Sequence, residues 1–437
     1  MKKSAFILTS LGIASLLSSC QNTSPTLVEP IGGLGVKGAD TSEARAYTVS
    51  SSASVDDLID LMEKHQPALI SAAAEVERLR AQSVVDASLP DPMVKLTAGD
   101  MAETAAGKVE AMIGVEQKIP HLGKLSALKG RTLEQVKAAS AARQTISLKL
   151  AYQLRNAYWS YYQDHQSIGI HQQNKALLND LRQSVEARVA AGGAAQEDLL
   201  RISTEIAKVD REIIQLRRNL ATYRATLNTL LFRPPSSNLP APRYSGATLS
   251  NQEMHVVANS HPEIRQALAQ MRAAEQSIRL AKLQRSPDFV AGLSYGAVSS
   301  SGLAPSANGR DQVMGTIGMS IPLWEKKNRA VEASARSALD AAKAGTSVVR
   351  QNLRSEAASA AADISAQQEL ISLFDKRIIP DSKQAFELST TAYSNGKSSF
   401  TDVIDTWRQL LNYELQQVAN KASLGKATAR FKYATNS

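Results

Sequence analysis

A single cysteine, Cys20, stands in 437 residues, so residues beyond it offer no disulfide, no thiolate metal site and no cysteine nucleophile. Apolar runs are short. After residue 20 none approaches the ~18 residues a membrane-crossing helix needs, and any crossing of a bilayer falls to strands. Proline is missing from Pro120 to Pro234, so a helix there meets no proline break. Aromatic residues make up only 5% of the chain, which leaves thin girdles for a membrane barrel. The six histidines, at 65, 121, 165, 171, 255 and 261, form no H-E-x-x-H and no i, i+4 pair. His165 and His171 read as surface or interhelical polar residues. With no G-x-x-x-x-G-K-[ST] loop and no G-x-S-x-G elbow either, the chain reads as no enzyme, with no metal and no cofactor. A net charge of +9 comes from Lys and Arg scattered among acids, which argues against nucleic acid as a partner.

What is present begins with an address. Met1-Lys2-Lys3 followed by the apolar stretch Ala5 to Leu17 reads as a secretory signal peptide, residues 1–20. Leu17-Ser18-Ser19-Cys20 resembles a bacterial lipobox, which implies a covalent lipid on Cys20. That resemblance, with Gln21 in place of an aspartate, favours the outer membrane. Residues 21–54, rich in Ser, Thr, Gly and Pro, are expected to form a tether, and the folded body starts near Val55.

From there the chain repeats itself after about 200 residues, the mark of two copies of one supersecondary unit. Gln66-Pro67 returns as His261-Pro262, Pro90-Asp91 as Pro287-Asp288, Ile119-Pro120 as Ile321-Pro322, and Gly192 with Asp198 as Gly396 with Asp402. The copies span 55–232 and 252–434, joined by a linker at 233–251. Each copy changes period once. Val94, Leu96 and Ala98, then Val109, Ala111, Ile113 and Val115, alternate with polar residues, which predicts a strand pair over about 92–120. Phe289, Ala291, Leu293 and Tyr295, then Val313, Gly315, Ile317, Met319 and Ile321, predict its counterpart over about 287–322. Pro120 and Pro322 mark the passage from strand to helix, where proline suits a helix start.

Long helical hairpins are expected over 123–232 and 323–434. A helix from about Lys124 to Ala190 would be roughly 100 Å long, and Gly192-Gly193 and Asn395-Gly396 supply the turns. The returning helix of the first copy carries an unbroken heptad seam, including Ile202, Val209, Ile213 and Leu227. In the second copy the seam through Ile404, Trp407 and Leu411 shifts by one residue before Leu415, which changes local winding. Tyr158, Trp159, Tyr161 and Tyr162 cluster on one helix and read as interhelical packing.

These features resemble the TolC-type outer-membrane efflux family across residues 55–434. Leu89-Pro90-Asp91-Pro92 and the segment from Gly114 to Lys124 resemble its heavy-metal export branch. The resemblance implies a mainly α fold with a small β part. In a homotrimer, four strands per chain would close a twelve-stranded barrel in outer-membrane lipid above a hollow helical cylinder. It implies a passive exit channel served by a periplasmic adaptor and an inner-membrane pump, with metal cations, drugs or a type I secretion substrate as cargo. Asp402 and Asp405 would line the periplasmic constriction, while Tyr393 and Asp198 would make contacts at the tip. Asp402 has a second reading, as an acid favoured in a helix's first turn. Two rivals are a structural or adaptor coiled-coil lipoprotein and a secreted enzyme, against which stand the strand pairs and the missing catalytic constellation.

Overall fold

Ser54 opens the first helix of the computed structural model. Its hydroxyl accepts the Asp57 N–H at 3.2 Å while the Asp57 carboxylate accepts the Ser54 N–H at 2.7 Å, a reciprocal cap. The structure describes residues 47–99, 103–244, 260–300, 306 and 308–436, all within one unit, Arg45–Ser437. The signal peptide, Cys20, most of the tether and residues 245–251 of the linker lie outside the described residues.

Eight α-helices and five strands follow in order among the described residues. Helices α1 (Val55–His65) and α2 (Pro67–Ala87) lead into β1 (Met93–Ala98), β2 (Glu103–Thr104) and β3 (Gly107–Ile119), then α3 (Leu122–Ala190) and α4 (Gln196–Leu230). The second copy runs α5 (Pro262–Leu283), β4 (Phe289–Val298), β5 (Gln312–Met319), α6 (Glu325–Leu373), α7 (Ile379–Ser394) and α8 (Phe400–Thr435). A π-helical turn, Phe374–Ile378, joins α6 to α7.

At 69 residues α3 is roughly 100 Å long and serves as the spine. Helices α2, α4, α5 and α8 all pack on it. No residue of the α4 seam is exposed, and Ile202, Val209, Ile213 and Leu227 are fully buried, as the heptad pattern requires. Both copies also close in one way. Gln66 at the N-cap of α2 donates to the Leu230 carbonyl at the end of α4, at 2.9 Å. His261 at the N-cap of α5 reaches the Tyr433 carbonyl at the end of α8, also at 2.9 Å. Its Nδ1 accepts the Glu263 N–H, so Nε2 carries the proton that Tyr433 accepts.

The sheet runs β1-β3-β4-β5, all antiparallel, with β2 paired to β3 beside the main path. Register places Leu96, Ile113, Tyr295 and Val313 in one row and Val94, Val115, Leu293 and Gly315 in the next. Residues directly opposite share a face, so one side of the sheet is apolar and its large side chains lie exposed. Rows such as Lys95, Gly114, Ser294 and Met314 form the other side.

Asp288 pins sheet to helices. Its carboxylate accepts the Lys124 ammonium at 2.7 Å and the His121 N–H at 3.0 Å, and its N–H donates to the Ser320 hydroxyl at 2.9 Å. Three strand ends therefore meet at this one residue, two through its side chain and backbone toward β3 and β5 and the third as the start of β4 itself.

The prolines correct one expectation. Pro120 and Pro322 do stand between strand and helix, but neither occupies a first helical position, because His121 and Trp324 are the N-caps. Proline biases its predecessor to extended backbone, so these prolines prolong Ile119 and Ile321 away from helix. Pro67 and Pro262 are the ones that start helices, at the first position of α2 and α5. Pro380 has no amide hydrogen to give its helix, and the π-turn ahead of it absorbs that irregularity. Phe374 in this turn meets Tyr413 edge-on, with ring centroids 6.1 Å apart, between Leu411 and Leu415 where the α8 seam shifts.

Candidate functional site

Two helix-terminal turns built from one backbone motif lie side by side at the end of the bundle. In the first, the Gly193 N–H bonds the Arg188 carbonyl at 2.8 Å. In the second, the Lys397 N–H bonds the Ala392 carbonyl at 2.8 Å. This six-to-one bond needs a left-handed residue just after the helix, supplied by Gly192 at φ +70° and Gly396 at φ +72°. Ala191 and Asn395 cap the helices, and Gly193 and Lys397 follow the left-handed glycines.

Arg188 joins the turns. Its guanidinium donates to the Tyr393 and Gly193 carbonyls and sits 4.3 Å from the centroid of the Tyr393 ring. Tyr393 is buried against Phe400, and its hydroxyl has no hydrogen-bond partner among the described residues. Burial raises the phenol's pKa, the negative charge of Asp198 raises it further, and Arg188 opposes both. The charge of Asp198, from the first copy of the repeat, thus acts on Tyr393 in the second.

The restart of each helix differs. Ser399 caps α8: its hydroxyl accepts the Asp402 N–H at 3.2 Å, and the Asp402 carboxylate accepts the Ser399 N–H at 3.0 Å. Ala195, the counterpart of Ser399, has no hydroxyl, so α4 starts without a side-chain cap and Asp198 has no such duty. Asp405 is exposed on the same face of α8 as Asp402 and pairs with Arg408 at 3.0 Å.

Arg408 then crosses to α4, where it meets Glu205 at 2.7 Å, and Lys208 meets the same carboxylate at 2.8 Å. Burial favours the protonated form of Glu205, but the two cations outweigh it and hold its pKa below the usual carboxylate range. Arg201 adds a bond to the Thr401 hydroxyl at 3.0 Å. A crevice of about 290 Å³ remains between α4 and α8, lined by these residues with Phe400 and Ile404. One level further in, Trp407 donates its indole N–H to Asn174 on α3 at 2.9 Å, both buried.

Sequence reasoning missed Arg188, Glu205, Arg408 and Asn174. A basic residue in the last turn of a helix marks the helix end and says nothing about its partner. The other three sit on helical faces whose neighbours are distant in sequence. Among the described residues no group of three or more His, Cys, Asp or Glu is placed to hold a metal ion, and no helix is long and apolar enough to cross a membrane.

Comparison with known proteins returns one family across both copies. The model of the family described as outer membrane efflux protein matches residues 58–231 and 254–437. The pyoverdine export outer membrane protein OpmQ of Pseudomonas putida is 23% identical, with 92% of this chain and 91% of that protein covered. Its namesake from Pseudomonas aeruginosa is also 23% identical, over 74% of this chain and 69% of that protein. Among solved structures, the outer-membrane channel OprN superposes with a TM-score of 0.75 at 19% identity, covering 87% of this chain and 89% of that one. VceC of Vibrio cholerae gives 0.74 at 19% identity, over 87% and 95%. For CusC the values are 0.71 and 16%, over 90% and 96%.

Proposed function

Because the chain belongs to the outer membrane efflux protein family, a family of transport proteins and not of enzymes, we propose that it is the passive exit duct of a tripartite pump. The observation that carries this reading is the sheet. Its apolar face lies exposed, and among the described residues its outer strands β1 and β5 each lack a partner on one side. Open strand edges are not tolerated in lipid, and four strands cannot close a barrel. Three copies joined edge to edge make twelve strands, with the long helices continuing as a periplasmic cylinder. An adaptor and an inner-membrane pump supply the energy. Averaged electron micrographs of detergent-extracted particles test this: a hollow threefold cylinder well over ~100 Å long supports it, and a solid rod or a globule refutes it.

Lipid on Cys20 anchors the mature chain to the outer membrane. The lipobox-like residues support this, and the mass of the N-terminal peptide tests it, with an unmodified Cys20 as the refuting result. At the opposite end, Asp402 and Asp405 of three copies place six carboxylates at the constriction. Their exposure on one face of α8 supports that arrangement. Each acid also has a local duty, Asp402 at its own cap and Asp405 toward Arg408, which moderates the field in the pore. Asp402→Asn with Asp405→Asn alters cation blockade of single channels, and unchanged blockade rules the ring out.

The cargo follows the pump. An acidic entrance favours cations, heavy-metal ions included, whereas the Pseudomonas relatives are named for pyoverdine export. Drugs and type I substrates are the further alternatives. A deletion strain sensitive to metal salts supports metal export, and one that retains a secreted siderophore supports the other reading.

A further inference from the structure

Large apolar side chains stand out into solvent just where the strands hand over to the helices. Leu122 is 78% exposed, Leu323 74% and Trp324 75%. The positions are systematic: Leu122 follows Pro120 by two residues, and Trp324 follows Pro322 by two. Both copies of the repeat thus present an apolar group at one level, continuous with exposed Met319 and Ile321 at the end of β5.

The second copy also forgoes a stabilising contact there. In the first copy His121 caps α3 through Nδ1, which accepts the Gly123 N–H at 3.3 Å. At the start of α6 the N-cap is Trp324, which makes no side-chain cap bond. An apolar residue is among the poorest choices for this position, so helix stability does not explain it. Indole suits a boundary with one apolar and one wet side.

Lys326 and Lys327 follow, both exposed. The acid next to them in sequence, Glu325, is paired to Arg329 at 2.6 Å. Lys124, the counterpart of Lys326, is turned inward onto Asp288. Positive charge beside an exposed apolar edge matches the anionic headgroup layer of a bilayer, into which lysine reaches while its stem stays among apolar groups.

We propose that Leu122, Leu323 and Trp324, with Lys326 and Lys327, form a collar that seats on anionic phospholipid headgroups of the periplasm-facing leaflet. The proposal rests on the sheet lying in the bilayer. Each lysine enriches anionic lipid locally by about fivefold at low salt.

The tryptophans themselves report the answer. Of the three, Trp159 is 4% and Trp407 2% exposed, which leaves Trp324 as the one that lipid can reach. The purified full chain is reconstituted in phosphatidylcholine vesicles doped with lipids carrying a nitroxide near the headgroup or deep in the acyl chain. The expected result is stronger quenching by the shallow label, and stronger again when the labelled lipid is phosphatidylglycerol. Trp324→Phe removes the quenchable component, and Lys326→Gln with Lys327→Gln abolishes the preference for phosphatidylglycerol while quenching persists. Trp324 quenched only by aqueous acrylamide overturns the collar, and so does Trp324 shielded from all quenchers, which would mean that a second copy covers it. Leu293→Trp in the Trp324→Phe background separates the two levels. Deep-label quenching of that mid-strand tryptophan, without quenching of Trp324, defeats the collar alone. If neither is quenched, the membrane-embedded sheet fails and the collar falls with it.

Discussion

Replacing Gly425 with alanine tests how α8 is held to the spine. A Cβ built on Gly425 would lie 2.0 Å from Cε2 of Trp159, 2.2 Å from Cδ2 and 2.5 Å from Nε1. No methyl group fits at those distances, so the indole or the helix must move. The indole has little room. Its ring meets Tyr158, Tyr162 and Tyr244 with centroids 5.6, 5.4 and 5.9 Å away. Overpacking of this kind costs about 1–3 kcal/mol, against a gain of about 1 kcal/mol for alanine over glycine in a helix. Ejecting the indole altogether would cost about 3–5 kcal/mol, as for deleting a buried tryptophan. The expected net effect is therefore destabilisation of up to about 2 kcal/mol, against the stabilisation that alanine gives at an unobstructed helical glycine. It reads as a lower melting temperature of the detergent-solubilised protein, by a few degrees per kcal/mol at most, with a changed near-ultraviolet aromatic signal. Gly345→Ala is the control: that glycine lies within α6 with nothing inside 4 Å of a built Cβ, so the same change should stabilise. If Gly425→Ala raises the melting temperature as much as Gly345→Ala does, Trp159 is not wedged against α8 and the reasoning fails.

Ala195→Ser should complete on α4 the cap that Ser399 and Asp402 make on α8, raising stability by about 0.5–1 kcal/mol, while Ser399→Ala should lower it by about 1 kcal/mol; thermal melts of both variants decide. Asn174→Ala removes the acceptor of the buried Trp407 indole N–H and should cost about 1–3 kcal/mol in the same assay. Acid should act through His171, where burial depresses the pKa below the ordinary imidazole value despite the opposing charge of Glu212. The unfolded chain then binds more protons, so this contribution is intact above about pH 6.5 and is lost as pH falls from there to the folded pKa. His171→Gln should flatten that part of the profile of melting temperature against pH, and an unchanged slope would show that the imidazole does not titrate there.

Periodicity made much of this fold legible before any coordinates. Alternation at Leu293 and Tyr295 and the heptads from Ile202 to Leu227 reflect which face each residue must bury or expose. Local geometry sets that face, so neighbours in sequence are enough to read it. Gly192 and Gly396 belong to the same class, because a left-handed turn is a constraint on one residue's own backbone. The repeat carried the rest, since two copies that obey the same rules betray a shared unit.

Contacts between distant residues were not legible in the same way. Nothing in the last turn of α3 announces that Arg188 will lie on Tyr393, some 200 residues on, or that Lys124 will reach Asp288. The spacing of Asp402 and Asp405 placed both acids on one helical face. Whether each carboxylate stays free depended on the Ser399 hydroxyl and on the reach of Arg408 to Glu205. Trp407 and Trp324 were equally apolar in sequence, yet one is sealed in the bundle and the other stands in solvent. By itself the sequence determined the elements, their order and their apolar faces, because those depend on interactions within a few residues along the chain. Only the tertiary structure decided which charges pair and which side chains stay uncovered, because that depends on where separate helices come to rest against one another.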